Sequence, residues 1–99
     1  MKIKGFDWDD FSGKKLQKHG VTVFEAESIY YIDPLFDNLA YDKNEKRYRC
    51  LGISQFGRYL TAIFTVRSKL IRNISVRPMS RKERFYYEKQ KNKKEVSKV

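Results

Sequence analysis

Five arginines between residues 67 and 84 are the residues of this 99-residue chain whose type and spacing suggest chemistry. They are Arg67, Arg72, Arg77, Arg81 and Arg84. A guanidinium group is always charged and can bind two phosphate oxygens at once, whereas a lysine acts as a point charge. Arginines held on one face of a folded element therefore predict a phosphate-binding surface.

A nuclease that cuts RNA without a metal ion needs cations on the phosphate, a base near the 2′-hydroxyl and an acid near the leaving oxygen. The cations that this sequence offers are Arg47, Arg67 and Arg77. The conceivable proton carriers are His19, Glu45 and Tyr87. A histidine at the end of a helix is also favoured by the helix dipole, so His19 has a structural interpretation beside the catalytic one. Alternating arginines on a strand can equally be the solvated face of a sheet.

The arginines lie on a predicted β-hairpin that leads into a helix. Leu60 to Val66 alternates as a half-buried strand does, and its open face carries Arg67. The second strand places Arg77 on that same face. In this register the core-facing residues of the second strand are Leu70, Arg72, Ile74 and Val76. Pro78 ends the strand, and the sequence Ser80-Arg81-Lys82-Glu83 is a capping box that predicts a helix from Ser80.

The first half of the chain predicts the elements that flank this hairpin. Lys2 to Lys4 is a candidate edge strand, and a helix runs from Asp7 or Asp9 to Lys18. A second capping box, Thr22 to Glu25, predicts a helix from Val23 to about Tyr31, and Asp33-Pro34 closes it. Two alternating runs, Leu35 to Tyr41 and Arg47 to Ile53, predict strands.

These elements predict an α+β fold, with an antiparallel sheet of four or five strands flanked by two N-terminal helices and one C-terminal helix. We expect one domain over residues 1–88, followed by a basic, flexible tail over residues 89–99.

Charge and composition narrow the class of partner. The chain has 22 Lys and Arg against 12 Asp and Glu, a formal charge of +10, and 15% aromatic residues, which argues for a folded basic domain. Nucleic acid is the first candidate partner, an acidic protein the second and an anionic membrane the third. One histidine and one cysteine give no metal-ligand cluster, so we expect neither metal nor cofactor. Cys50 is predicted to be a small core residue in a cytoplasmic protein.

A series of short matches along residues 6–88 resembles the BrnT toxins of bacterial type II toxin–antitoxin systems. The matching residues are Lys18-His19-Gly20-Val21, Phe24, Ala26, Asp33-Pro34, Glu45, Arg47, Gly52, Gly57-Arg58-Tyr59-Leu60, Arg67, Arg72, Ile74-Ser75, Arg77, Glu83-Arg84 and Tyr87. The resemblance implies a small RelE-type ribonuclease that acts without metal and is neutralised by a BrnA antitoxin, through which alone it reaches operator DNA. The site residues to which the resemblance points are His19, Arg47, Arg58, Arg67, Arg72 and Arg77.

We therefore expect an endoribonuclease toxin that cleaves messenger RNA by attack of the 2′-hydroxyl. The expected catalytic residues are His19, Arg47, Arg67, Arg77 and Tyr87, and the expected nucleic-acid-binding residues are Arg58, Arg72, Lys82 and Arg84. The expected assembly is a homodimer or a toxin–antitoxin heterotetramer. The alternatives are a basic RNA- or DNA-binding module without catalysis and a purely structural partner protein.

Overall fold

The computed structural model describes residues 4–9, 16–38 and 46–96, with side chains as far as residue 92 and without that of Asn38. Its elements follow the chain as β1, α1, β2, β3, β4, β5 and α2. Their bounds are β1 Gly5–Phe6, α1 Val23–Ser28, β2 Leu35–Asn38, β3 Tyr48–Ile53, β4 Tyr59–Arg67, β5 Leu70–Pro78 and α2 Arg81–Val96. No helix among these residues is long and apolar enough to cross a membrane.

The five strands form one sheet in the order β1-β5-β4-β3-β2. The prediction of a purely antiparallel sheet is wrong, because β1 pairs in parallel with β5, Gly5 opposite Leu70 and Phe6 opposite Ile71. The other neighbours pair antiparallel. The two strands can pair in parallel because a long crossover joins them, which contains α1 and strands β2, β3 and β4.

The described part of the chain holds two helices rather than the predicted three. Residues 7–9 are not helical, Leu16 and Gln17 are, and residues 18–20 form a turn. Residues 10–15 of the predicted first helix lie outside the described residues. The same holds for the predicted strand ends at Lys2 and Tyr41. Helix α2 continues through Val96, into the segment that the sequence assigns to the tail.

Each face of the sheet is covered by one helix. Residues directly opposite in paired strands project to the same face, so Cys50, Ala62 and Val76 form one buried row against α1. Cys50 is 0% exposed, as predicted. Gly52 is required in β3, since an added Cβ would lie 2.8 Å from the backbone oxygen of Ile29, just after α1. On the opposite face, Thr61 and Arg77 lie under α2.

A β-bulge at Ile74 makes the register of β5 differ from the predicted one. Ile63 pairs with Ser75 but Phe64 pairs with Asn73, so Ile74 is the extra residue. The bulge turns Ile71 and Asn73 to the α1 face, where Ile71 is fully buried and Asn73 accepts a hydrogen bond from the Tyr30 hydroxyl. It moves Arg72 to the α2 face, opposite Thr65, so the prediction that Arg72 faces the core is wrong. Simple alternation cannot reveal one inserted residue.

Both predicted capping boxes begin helices, but only the second is complete. At α2, the Glu83 N–H donates to the Ser80 hydroxyl at 3.1 Å, and the Ser80 N–H donates to the Glu83 carboxylate at 2.9 Å. At α1, the Glu25 N–H donates to the Thr22 hydroxyl at 3.1 Å. The Glu25 carboxylate instead accepts hydrogen bonds from Ser54 and Arg58. Each box therefore places a buried carboxylate at the start of its helix.

Candidate active site

The Glu83 carboxylate joins α2 to the sheet. It accepts two hydrogen bonds from the Arg77 guanidinium, at 2.6 and 3.0 Å, and one from the Thr61 hydroxyl at 3.1 Å. The Arg49 guanidinium lies 3.6 Å from the same carboxylate. The carboxylate is thus shared by β5, β4 and β3, and it fixes the plane of Arg77 by a bidentate contact.

Glu83 is ionised because this network outweighs its burial. Burial of a residue only 9% exposed would raise its pKa. Hydrogen bonds from Arg77, the Ser80 backbone and Thr61 lower the pKa to about 2. The same pairing raises the pKa of Arg77, which stays charged. Arg77 is therefore a fixed, permanently charged group, but one whose charge is balanced by a carboxylate.

A second ion pair lies between α1 and the β3–β4 turn. Arg58 donates to both oxygens of the Glu25 carboxylate, at 2.8 and 2.5 Å, and this contact lowers the pKa of Glu25, which is 2% exposed. Arg58 also donates to the backbone oxygens of Gly20 at 2.9 Å and His19 at 3.4 Å. Arg58 thereby ties the exposed turn that carries His19 to the end of the sheet.

An open cleft of about 330 Å³ lies beside this end of the sheet. Its lining residues are Gly57, Arg58, Tyr59, Leu60, Pro78, Met79 and Arg84. Leu60 is fully buried and gives the cleft an apolar floor, while Arg58 and Arg84 give it cationic walls. Arg77 donates to the backbone oxygen of Pro78 at 3.2 Å, so its guanidinium lies close to the same end.

The remaining predicted arginines lie away from this cleft. Arg77 of β5 pairs with Thr61 of β4, and Thr61 lies six residues before Arg67 on the same strand. Because a strand rises by about 3.4 Å per residue, the backbones of Arg67 and Arg77 are roughly 20 Å apart. Arg72 forms ion pairs with Asp7 at 3.5 Å and Asp9 at 3.0 Å. Half-buried Arg47 directly precedes β3. The structure thus places Arg58, Arg77, Arg84 and the turn that carries His19 at one end of the sheet. It leaves Arg67 and Arg72 apart from them.

Tyr87, Lys82 and Glu45 complete the predicted set. Tyr87 is 2% exposed, its hydroxyl donates to the backbone oxygen of Asp33 at 2.7 Å, and its ring packs edge-on against Tyr59. Burial raises the pKa of this hydroxyl, which fits a packing role better than proton transfer. Lys82 is exposed in the first turn of α2, and Glu45 lies outside the described residues.

Sequence reasoning missed the two carboxylates and one further arginine. Glu83 was explained by its capping box, which accounts for the start of α2 but not for its contacts with the sheet. Arg49 pairs with Asp37 on the neighbouring strand, and Asp37 also accepts from the Tyr86 hydroxyl at 3.2 Å. The alternation from Arg47 to Ile53 places Arg49 on the same face of the strand as Leu51. It does not show which face of the strand packs against a helix, so it could not identify Arg49 as a site residue. Over the described ranges, no three His, Cys, Asp or Glu side chains converge closely enough to hold a metal ion.

Comparison with protein families gives one match. Residues 8–83 match the model of the BrnT toxin family, described as the ribonuclease toxin BrnT of type II toxin–antitoxin systems. This span contains both buried carboxylates and every residue that lines the cleft except Arg84. No curated protein matches the chain.

The Glu83 network predicts a pH-dependent stability. Because the folded-state pKa of about 2 lies below the ordinary value of 4.5, ionised Glu83 stabilises the fold above about pH 4.5, and this contribution is lost as the pH falls toward 2. The difference corresponds to roughly 3 kcal/mol. Urea unfolding of the wild type at pH 7 and pH 3 should show a loss of about 2 kcal/mol, because pH 3 still lies above the folded-state pKa, and Glu83→Gln should show a smaller loss. Glu88→Gln, an exposed change on the same helix, is the control. Equal pH dependence in wild type and Glu83→Gln would refute this role.

Proposed function

The chain belongs to the BrnT family of ribonuclease toxins of type II toxin–antitoxin systems, and we propose that it is an endoribonuclease that cleaves messenger RNA without a metal ion. Membership implies an RNA target and an antitoxin partner. The observation that supports the proposal most is that Arg58, Arg77, Arg84 and the turn that carries His19 lie at one end of the sheet. Arg58 contacts the backbone of His19, and the cleft next to it is bordered by Arg84 and by Pro78, which Arg77 contacts.

The chemistry that such a group supports is attack by the substrate's own 2′-hydroxyl. A base takes the proton of that hydroxyl, its oxygen bonds to the adjacent phosphorus, and the bond to the 5′-oxygen of the next nucleotide breaks. An acid returns a proton to the leaving oxygen. The products are a 2′,3′-cyclic phosphate and a 5′-hydroxyl end. The cations stabilise charge on the phosphate oxygens in the transition state, where one preorganised donor contributes about 3 to 4 kcal/mol.

Our assignment gives His19 the proton transfer and Arg77 the stabilisation of phosphate charge. His19 is exposed and its imidazole is accessible to a substrate, in contrast to the buried Tyr87 hydroxyl. Arg58 is a positioning residue in this proposal, because its hydrogen bonds go to Glu25 and to the backbone of the His19 turn. Arg67, Arg72 and Arg47 would contact phosphates farther along the strand, since they are too far from Arg77 to share its phosphate.

Binding of RNA without cleavage is the second candidate function. One observation favours it: the guanidinium groups of Arg58 and Arg77 are both paired with buried carboxylates. A paired arginine presents less net positive charge to a developing phosphate dianion than an unpaired one does. The substrate must then compete with Glu83 for Arg77 or use its remaining N–H groups.

The partner in this proposal is an acidic antitoxin of the BrnA type, encoded next to the toxin. A chain of net charge +10 is most simply silenced by a protein that covers the arginines at the cleft. A homodimeric toxin or a toxin–antitoxin heterotetramer would both allow this arrangement.

Cleavage by the 2′-hydroxyl predicts a specific pattern of substrates and products. Purified protein should cleave RNA equally well with and without a chelator, and it should leave DNA of the same sequence intact. A single 2′-deoxy nucleotide at the cut position should block that cut, because the nucleophile is absent. End-group analysis should find cyclic phosphates and 5′-hydroxyls. Loss of activity in chelator that magnesium restores, or 5′-phosphate ends, would refute the mechanism.

Proton transfer by His19 predicts a change in the pH–rate profile. A side chain that transfers a proton in the rate-determining step makes kcat depend on pH, so kcat of the wild type should vary with pH. His19→Ala should lower kcat by about 10² to 10⁴ and flatten the profile. Gln17→Ala, an exposed change in the preceding helical turn, is the matched control and should keep the wild-type profile. A His19→Ala profile that keeps its shape would assign His19 a purely structural role.

Coverage of the arginines by an acidic antitoxin predicts salt-sensitive association. The association rate constant measured by stopped flow should fall steeply as ionic strength rises, while the dissociation rate should change little. Saturating RNA should slow the association, since both partners use the cleft. A rate independent of salt, or a complex that still cleaves RNA, would contradict this part of the proposal.

A further inference from the structure

The wall of the cleft formed by Tyr59 and Arg84 has a geometry that the proposed chemistry does not use. The Arg84 guanidinium lies over the Tyr59 ring, with its carbon 3.9 Å from the ring centroid. The Tyr59 ring in turn makes a T-shaped contact with the buried Tyr87 ring, with centroids 6.0 Å apart. These three side chains form a contact series that begins in the core and ends at the surface with a planar cation.

Arg84 is held in this orientation and yet remains accessible. Its Nε donates to the Glu88 carboxylate one turn later, at 3.1 Å, which fixes the guanidinium at its edge rather than on its face. Its side chain is 56% exposed, against 39% for both Arg58 and Arg77. A planar cation that packs over Tyr59 and has more than half of its side chain open to solvent offers a surface on which another planar group can stack.

The rest of the cleft suits the same ligand. Leu60, Pro78 and Met79 give apolar contact area, and Gly57 and Arg58 complete the lining. A volume of about 330 Å³ is sufficient for one nucleobase with its ribose. Unpaired bases are bound by proteins through stacking on aromatic rings or on arginine planes, with the backbone phosphates near cations.

We propose that this cleft binds one unpaired nucleotide of the RNA, with its base stacked on the outer side of the Arg84 guanidinium, whose other side packs over Tyr59. The inference rests on the proposed function, because it names the part of the substrate that lies next to the cut. The toxin then requires an unpaired base at this position and selects single-stranded over double-helical RNA.

The test uses RNA that binds but cannot be cut. A short single-stranded RNA with 2′-O-methyl riboses is labelled at one end, and its affinity for the full chain is measured by fluorescence anisotropy. A set of RNAs that each lack one base, at successive positions, is compared with the complete strand. Loss of one stacked base should weaken binding at least about fivefold, and only at one position of the set.

Two variants separate stacking from general charge. Arg84→Lys keeps the charge and the ion pair with Glu88 but removes the planar group, and it should weaken binding of the complete strand at least about fivefold. In this variant the missing base should no longer matter, because the base and Arg84 act together. Lys89→Ala removes one exposed positive charge from the same helix and should keep both the parental affinity and the sensitivity to the missing base.

Three results would overturn the nucleotide site. They are unchanged affinity in Arg84→Lys, an equal loss in Lys89→Ala, or a missing-base effect that survives in Arg84→Lys. If Arg84→Lys weakens binding of the antitoxin but not of the RNA, the cleft is a protein-binding site, and the nucleotide site is again overturned. Cleavage of unmodified RNA, assayed separately, distinguishes the two proposals: activity without a base-dependent loss refutes this inference only, and base-dependent binding without cleavage refutes the proposed function only.

Discussion

The structure depends on one buried carboxylate, that of Glu83. It closes the capping box that starts α2, and it also accepts hydrogen bonds from β4 and β5 and neighbours Arg49 of β3. Its hydrogen bond from Ser80 decides where the helix begins, and its hydrogen bonds from Thr61 and Arg77 decide where the helix lies on the sheet. If this group were protonated or replaced, the helix would lose both its first-turn hydrogen bond and its attachment, and Arg77 would lose the partner that fixes its orientation.

Glu25 performs the corresponding task on the opposite face. It lies in the first turn of α1 and contacts Ser54 and Arg58 in the β3–β4 turn. Both helices of the described chain are therefore attached to the sheet through a glutamate three residues after the N-cap, each paired with an arginine. The two arginines lie at the same end of the sheet because Leu60, next to Arg58 and Tyr59, pairs with Pro78, next to Arg77. The cleft follows from this pairing rather than from any single motif.

Local sequence signals predicted the elements well and their arrangement less well. The hairpin, the start of α2 and the buried position of Cys50 follow from alternation, from a capping box and from residue type, all of which act over a few residues. The parallel pairing of β1 joins residues far apart in the chain, and the bulge at Ile74 is a single inserted residue, so neither has a local pattern. For the site, residue types indicated arginines and His19, but which arginines meet was decided by strand position: Arg67 and Arg77 share a face and lie at its opposite ends.

The two glutamate–arginine pairs also limit how this sequence can vary. The Glu83 and Glu25 carboxylates are buried, whereas the side chains of Arg77 and Arg58 are each 39% exposed. Replacement of either arginine alone leaves a buried carboxylate without its ion-pair partner and destabilises the fold. We therefore expect each pair to change together, whereas the exposed lysines of α2 are open to neutral drift. The evolutionary constraint on this toxin falls as heavily on its two acidic residues as on the basic residues that its RNA would touch.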